Sequence, residues 1–202
     1  MTILDDVHTV VFFGDSITDA GQREDPDRLG NGYVRLLADK LTGVTVINAG
    51  ISGNKAVDLQ ARLDDDVLAH RPDLVSIMIG INDTWRKFDR DDPTSAAAYE
   101  ASYRDLLTRI TATGARLILL EPFVLPVTDE QATAWRVDLD PKIDAVRRLA
   151  ADFGAPLVPL DVELNKLAVD SGAAALAGDG VHPSEQGHAE ITRLWLETAG
   201  AA

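Results

Sequence analysis

A chain of 202 residues, 46% hydrophobic and without cysteine, is long enough to bury roughly 70–75% of its unfolded surface. It has no means of making a disulfide, a thiolate metal site or a thiol nucleophile. A net charge of −14, from 33 acidic against 19 basic residues, disfavours nucleic acid and anionic membranes but raises no objection to a neutral small molecule.

The N-terminal "MTILDDVHTVVFFGD" has acids where a secretory leader would be basic. No stretch approaches the roughly 20 apolar residues of a membrane span. Both features point to a cytoplasmic protein.

The first apolar run, "TVVFFG" (9–14), predicts a strand and leads into "GDSITDAG". A helix is predicted over about 32–41, then a strand at "VTVIN" (44–48), followed by "NAGISGN". After a helix over 55–70 comes the strand "LVSIMI" (74–79), which runs into "GINDTW". Helices over 95–113 and 129–153 flank the fourth strand, "RLILLE" (116–121). Thr94 or Ser95 can cap the first of these helices, and Gly114 follows its end. The fifth strand, "PLVPL" (156–160), precedes helices near 161–171 and 184–198, the last entered through "GDGVHP" with Ser184 as its cap.

The strands are almost continuously apolar, as strands covered on both faces should be. Alternation of strand and helix predicts a parallel sheet with helices on both sides. No repeat, low-complexity tract or linker interrupts residues 1–202, so a single domain is expected. Ligands in such sheets bind beyond the carboxyl ends of the strands. Four polar segments scattered along the chain are thereby delivered to one edge.

A serine becomes a useful nucleophile when an imidazole takes its proton and a carboxylate holds that imidazole. Ser16 with His182 and Asp179, the last two three residues apart in "DGVH", forms a candidate triad. Asp161 or Asp170 could compete for the acid position. A tetrahedral intermediate also needs donors for its oxyanion. The N–H groups of Ser16 and Gly53 and the side-chain amide of Asn82 can supply them, with glycine at 53 letting the backbone approach a substrate closely.

Asp15, Asn54 and Trp85 flank these groups and are the candidates for touching substrate. Asp15, adjacent to the serine on a turn, equally fits local hydrogen bonding of that turn. Trp135 and Trp195 lie in helical patterns and fit packing, although Trp135 could reach the mouth of the site. His8, His70 and His188 have no metal-ligand spacing and fit structural roles, and "GNG" (30–32) lacks the strand and full fingerprint of a phosphate loop and reads as a turn.

Ser16 in "GDS", Gly53 in "GISG", Asn82 in "GIND" and His182 in "DGVHP" resemble, in order, the four signature residues of the SGNH (GDSL) hydrolases. This resemblance implies a flavodoxin-like three-layer α/β/α fold whose five-stranded parallel sheet has the order 2-1-3-4-5. It also implies ester hydrolysis without metal or cofactor. The G-x-S-x-G elbow of ordinary α/β-hydrolases is absent.

Longer blocks, "FFGDSITDAG", "NAGISGNKAVDLQARLDDDV" and "VSIMIGINDTWRKFD" among them, resemble the intracellular acetylxylan esterases of this family. The resemblance implies small acyl esters, acetylated xylo-oligosaccharides or related sugars, as substrates, and a homo-oligomer. Lysophospholipase, thioesterase-like and broad arylesterase activities are the alternatives within the family. A catalytically idle sugar-binding descendant would be expected to lack one of Ser16, Asn82, Asp179 or His182, and none is missing.

Overall fold

The computed structural model describes residues 2–201. Its five apolar runs become parallel strands: β1 (Thr9–Gly14), β2 (Thr45–Gly50), β3 (Leu74–Met78), β4 (Arg116–Leu120) and β5 (Leu157–Val158). They pair in the order β2-β1-β3-β4-β5, as the resemblance implied. Gly14 stands level with Gly50 on one side and Met78 on the other. The three chain segments that leave β1, β2 and β3 therefore start at one height.

Alternate side chains of each strand enter two separate cores, because successive Cβ atoms point to opposite faces. Val10, Phe12, Leu74, Met78 and Ile118 face one way. They are covered by α2 (Tyr33–Ala38), α7 (Leu160–Ser171) and α9 (Glu185–Ala199). Val11, Phe13, Val75, Ile77 and Leu119 face the other way, under α3 (Ala56–Asp66), α5 (Ala96–Thr111) and α6 (Arg136–Phe153). Ser76, the one polar residue in the buried run of β3, accepts from the Trp195 indole N–H at 2.9 Å. Among the described residues, no helix is long and apolar enough to cross a membrane.

The elements depart from expectation where polar or constrained residues decide. β5 shrinks to two residues, since Pro156 and Pro159 bracket it and neither has an N–H for the ladder. The segment 129–153 begins as a wide π-helical turn, Gln131–Trp135, before α6 proper. Three short helices were not predicted: α1 (Ser16–Asp19), α4 (Ile81–Asp89) and α8 (Ala173–Leu176). Ser95, rather than Thr94, caps α5 by accepting from Ala98 N–H, and Ser184 caps α9 through Gly187 N–H.

Candidate active site

Ser16 opens α1 directly beyond the end of β1. The Asp15 carboxylate accepts from Ile17 N–H at 3.0 Å and caps that helix. It is 1% exposed, and burial pushes its carboxyl up to about 6. Asp15 is thus an internal brace of the serine turn, the local hydrogen-bonding role its position allowed, and its burial leaves little surface for the substrate contact also expected of it.

Asp179 and His182 sit in the turn between α8 and α9. His182 Nε2 lies 3.0 Å from Ser16 Oγ, and its Nδ1 lies 2.6 Å from Asp179 Oδ2. The other carboxylate oxygen accepts from the backbone N–H groups of Val181 and His182 at 2.9 and 2.7 Å. Burial works against the charge on Asp179, but the bonds from His182 and Val181 outweigh it and hold the carboxyl below its ordinary range. An ionised carboxylate only accepts, so Nδ1 carries the ring proton, and Nε2 is left to accept from the serine hydroxyl. The competing acid Asp161 is committed to Arg136 at 2.7 Å, and Asp170 lies exposed on α7.

Gly180 makes this turn possible. Its φ is +83°, and a Cβ there would come within 2.7 Å of both Leu125 O and Gln131 Oε1. Gln131, from the wide turn before α6, donates to the Asp179 carbonyl at 2.7 Å and accepts from Val127 N–H at 2.9 Å.

Asn82 stands in the first turn of α4, where the segment after β3 arrives. Its amide is fixed at both ends: Nδ2 donates to the Asn54 carbonyl at 3.1 Å, and Oδ1 accepts from Arg86 Nη2 at 2.8 Å. An amide nitrogen has two hydrogens, so one remains for a ligand. Gly53 has a φ of +86°, yet a Cβ there would meet no protein atom within 4 Å. Backbone conformation, not crowding by the protein, is what requires glycine at this position.

The loop that carries Gly53 is tied down by residues the sequence reading did not single out. Asp19 accepts from both Ser52 N–H and Ser52 Oγ, at 3.1 and 2.7 Å. Arg62 donates to Asn54 Oδ1 at 2.7 Å, Ala49 O at 2.8 Å and Gly14 O at 2.9 Å, which joins the ends of β1 and β2. The Asn54 side chain is thereby held through its oxygen. Arg86 had a legible signal, because it lies four residues after Asn82 on one helix face. Arg62 pairs locally with Asp66, but nothing in the sequence signals its loop-binding role, since Asn54, Ala49 and Gly14 come to it only in the fold.

Trp85 is half-buried against the histidine, with ring centroids 5.8 Å apart. Trp135 packs behind it at 5.4 Å, and Phe88 stacks on Trp135 in turn. Trp135 is therefore the buried support and Trp85 the partly exposed wall. Asp83, next to Asn82, is fully buried and accepts from Ala56 N–H at 3.0 Å, tying α4 to the start of α3. Burial pushes its carboxyl up to about 7.

Comparison with known proteins agrees with this geometry. Residues 12–190 match the GDSL-like lipase/acylhydrolase family. The chain is 34% identical to an acetylxylan esterase of Geobacillus stearothermophilus, over 95% of its own length and 93% of that protein's. A solved structure of that esterase, a catalytic mutant with alanine for a serine, superposes with a TM-score of 0.89 at 34% identity, covering 96% of this chain and 95% of that one. Two further catalytic mutants of it replace an aspartate and a histidine that lie three positions apart, the spacing of Asp179 and His182 here. An alpha/beta hydrolase from the metagenome of Lake Arreo also superposes with a TM-score of 0.89 at 34% identity, covering 96% and 95% of the two chains. The chain belongs to the GDSL-like lipase/acylhydrolase family and is a carboxylic ester hydrolase.

Proposed function

We propose that the protein removes acetyl groups from xylo-oligosaccharides or related sugars through an acyl-enzyme on Ser16. The observation that carries this reading is the unbroken chain from Ser16 Oγ to His182 Nε2 at 3.0 Å and from His182 Nδ1 to Asp179 at 2.6 Å. His182 takes the hydroxyl proton as Ser16 attacks the ester carbonyl, and Asp179 stabilises the imidazolium that forms. The N–H groups of Ser16 and Gly53 and the free amide hydrogen of Asn82 receive the oxyanion. Collapse of the tetrahedral intermediate breaks the ester C–O bond, and His182 returns the proton to the leaving sugar hydroxyl. Water, deprotonated by the same imidazole, then attacks the acyl carbonyl and releases acetate and free Ser16.

The acetyl-sugar specificity is supported by likeness to the acetylxylan esterase and by Trp85, whose partly exposed ring beside His182 offers a sugar a stacking surface. The test is hydrolysis of 4-nitrophenyl esters from acetate to laurate, followed by acetylated xylo-oligosaccharides, with Ser16→Ala as control. Preference for acetate, turnover of the oligosaccharides and a loss of roughly 10³-fold or more in the variant are expected. Preference for long chains would overturn the acetyl-sugar reading. Activity retained by Ser16→Ala would overturn the mechanism.

A further inference from the structure

A concavity of about 240 Å³ opens beside the carboxyl end of β2. Arg23, Arg28, Arg62 and His70 line it with Gln22, and Asp66 is the single carboxylate in its wall. Three guanidinium groups against one carboxylate is an unusual balance in a chain of net charge −14. Many other surface arginines are matched with acids, as in Arg104 with Asp152, Arg109 with Asp64 and Arg193 with Glu190.

Here the matching fails. Asp66 pairs with Arg62 at 2.7 Å, and Arg23 and Arg28 have no carboxylate partner among the described residues. The nearby acids Asp25 and Asp27 turn away to Arg35, at 2.5 and 3.0 Å. Arg28 reaches only the carbonyl of Arg23. Burial lowers the Arg62 pKa from its ordinary value, and the like charge of Arg23 adds to that effect. Repulsion among clustered cations costs stability unless an anion joins them.

We propose that this concavity binds a small oxyanion group, a carboxylate or phosphate, through Arg23 and Arg28, with the one N–H of Arg62 that its bonds to Asn54, Ala49, Asp66 and Gly14 leave free as a further donor. Planar guanidinium forks match both groups bidentately. The cavity is one side chain away from the catalytic loops, since Arg62 also holds Gly14 O and Asn54 Oδ1. Two sources fit this chemistry: a uronic-acid substituent on an oligosaccharide substrate, or a free anion in solution. The first source rests on the acetyl-sugar reading, whereas the anion site itself does not.

The experiment is calorimetric titration of the full chain with inorganic phosphate and with glucuronate, comparing wild type with Arg23→Gln/Arg28→Gln. Saturable binding that weakens roughly tenfold or more in the double variant is expected, from the strength of charged hydrogen bonds. Arg23→Lys/Arg28→Lys keeps the charge and should bind more tightly than the glutamine variant, which separates recognition from a folding defect. No saturable heat with either anion, or equal binding in wild type and the glutamine variant, would overturn the proposal.

KM values for acetylated xylo-oligosaccharides with and without a glucuronate branch separate the sources. A lower KM for the branched substrate, lost in the glutamine variant, assigns the site to the substrate. Equal KM values alongside intact phosphate binding assign it to a free anion. If neither oligosaccharide turns over, the acetyl-sugar reading fails while the calorimetric result stands.

Discussion

Arg86 reaches back one helical turn to the Asn82 amide oxygen, at 2.8 Å, and its guanidinium also lies 5.3 Å from the centroid of the Trp85 ring. The contact fixes which end of the amide faces Asn54, and so which hydrogens of Asn82 are available. A cation on the amide oxygen also strengthens the amide as a donor. Asn82→Ala is expected to lower kcat by about 10²–10³-fold, the usual cost of one oxyanion donor. Arg86→Ala removes a charged hydrogen bond and should lower kcat by roughly 10–100-fold with KM nearly unchanged. Because both residues act through one amide, the double variant should be no worse than Asn82→Ala alone. Steady-state kinetics on 4-nitrophenyl acetate decides this, and additive losses would show that Arg86 acts elsewhere.

At the scale of elements, the turn before α9 combines two functions that substitution can separate. Ser184 Oγ accepts from Gly187 N–H at 3.2 Å and donates to Ala175 O at 2.6 Å, so it caps α9 and ties it to α8. Ser184→Ala should lower unfolding free energy by about 1–2 kcal/mol while leaving kcat unchanged. Independent bonds, Leu125 N–H to Gly180 O and Gln131 to Asp179 O, hold the catalytic turn. Gly180→Ala should do the reverse and reduce kcat strongly, since its positive φ and the 2.7 Å approach of Leu125 O leave no room for a methyl group. Urea unfolding beside esterase assays on both variants tests the separation.

These elements also show what could be read in advance. The Ser184 cap was legible because cap chemistry is local, and the strands were legible because burial on both faces makes them apolar throughout. The candidates Ser16, Asn82, Asp179 and His182 stood out as residue types placed after strands or before a helix. α4 was missed although Ile81, Trp85 and Phe88 recur at i, i+4 and i+7 along it, because its polar first turn, "NDT", directly after the strand reads as a loop. Arg62 and Gln131 were missed for a related reason: the groups through which they brace the site, Asn54, Gly14 and the Asp179 carbonyl, lie 8–48 residues away in sequence. What the sequence concealed was the scaffold that aims the reactive groups.

For the whole molecule, buried titratable groups set opposing trends of stability with pH. Asp15 and Asp83, pushed up to about 6 and about 7 by burial, bind protons more readily when folded than when unfolded. They disfavour the folded state at neutral pH, and this cost is relieved as pH falls toward 4. His188 acts in the opposite sense. Its Nδ1 accepts from Tyr33 N–H at 3.1 Å, its ring stacks on Tyr33, and burial, with a smaller contribution from His182, pushes its pKa down to about 4. Between its ordinary value and 4, the unfolded chain takes the proton first, so stability is full above about pH 6.5 and is lost as pH falls to 4. The shift corresponds to roughly 3 kcal/mol over that window. His188→Asn keeps an acceptor for Tyr33 N–H without a titrating group, and it leaves Asp15 and Asp83 in place. Chemical unfolding at pH 7 and pH 4.5 should show wild type losing stability relative to this variant as pH falls. Parallel behaviour of the two proteins would mean that His188 is solvated enough to protonate in the folded state, and the fit of α2 against α9 would then have to tolerate a charge.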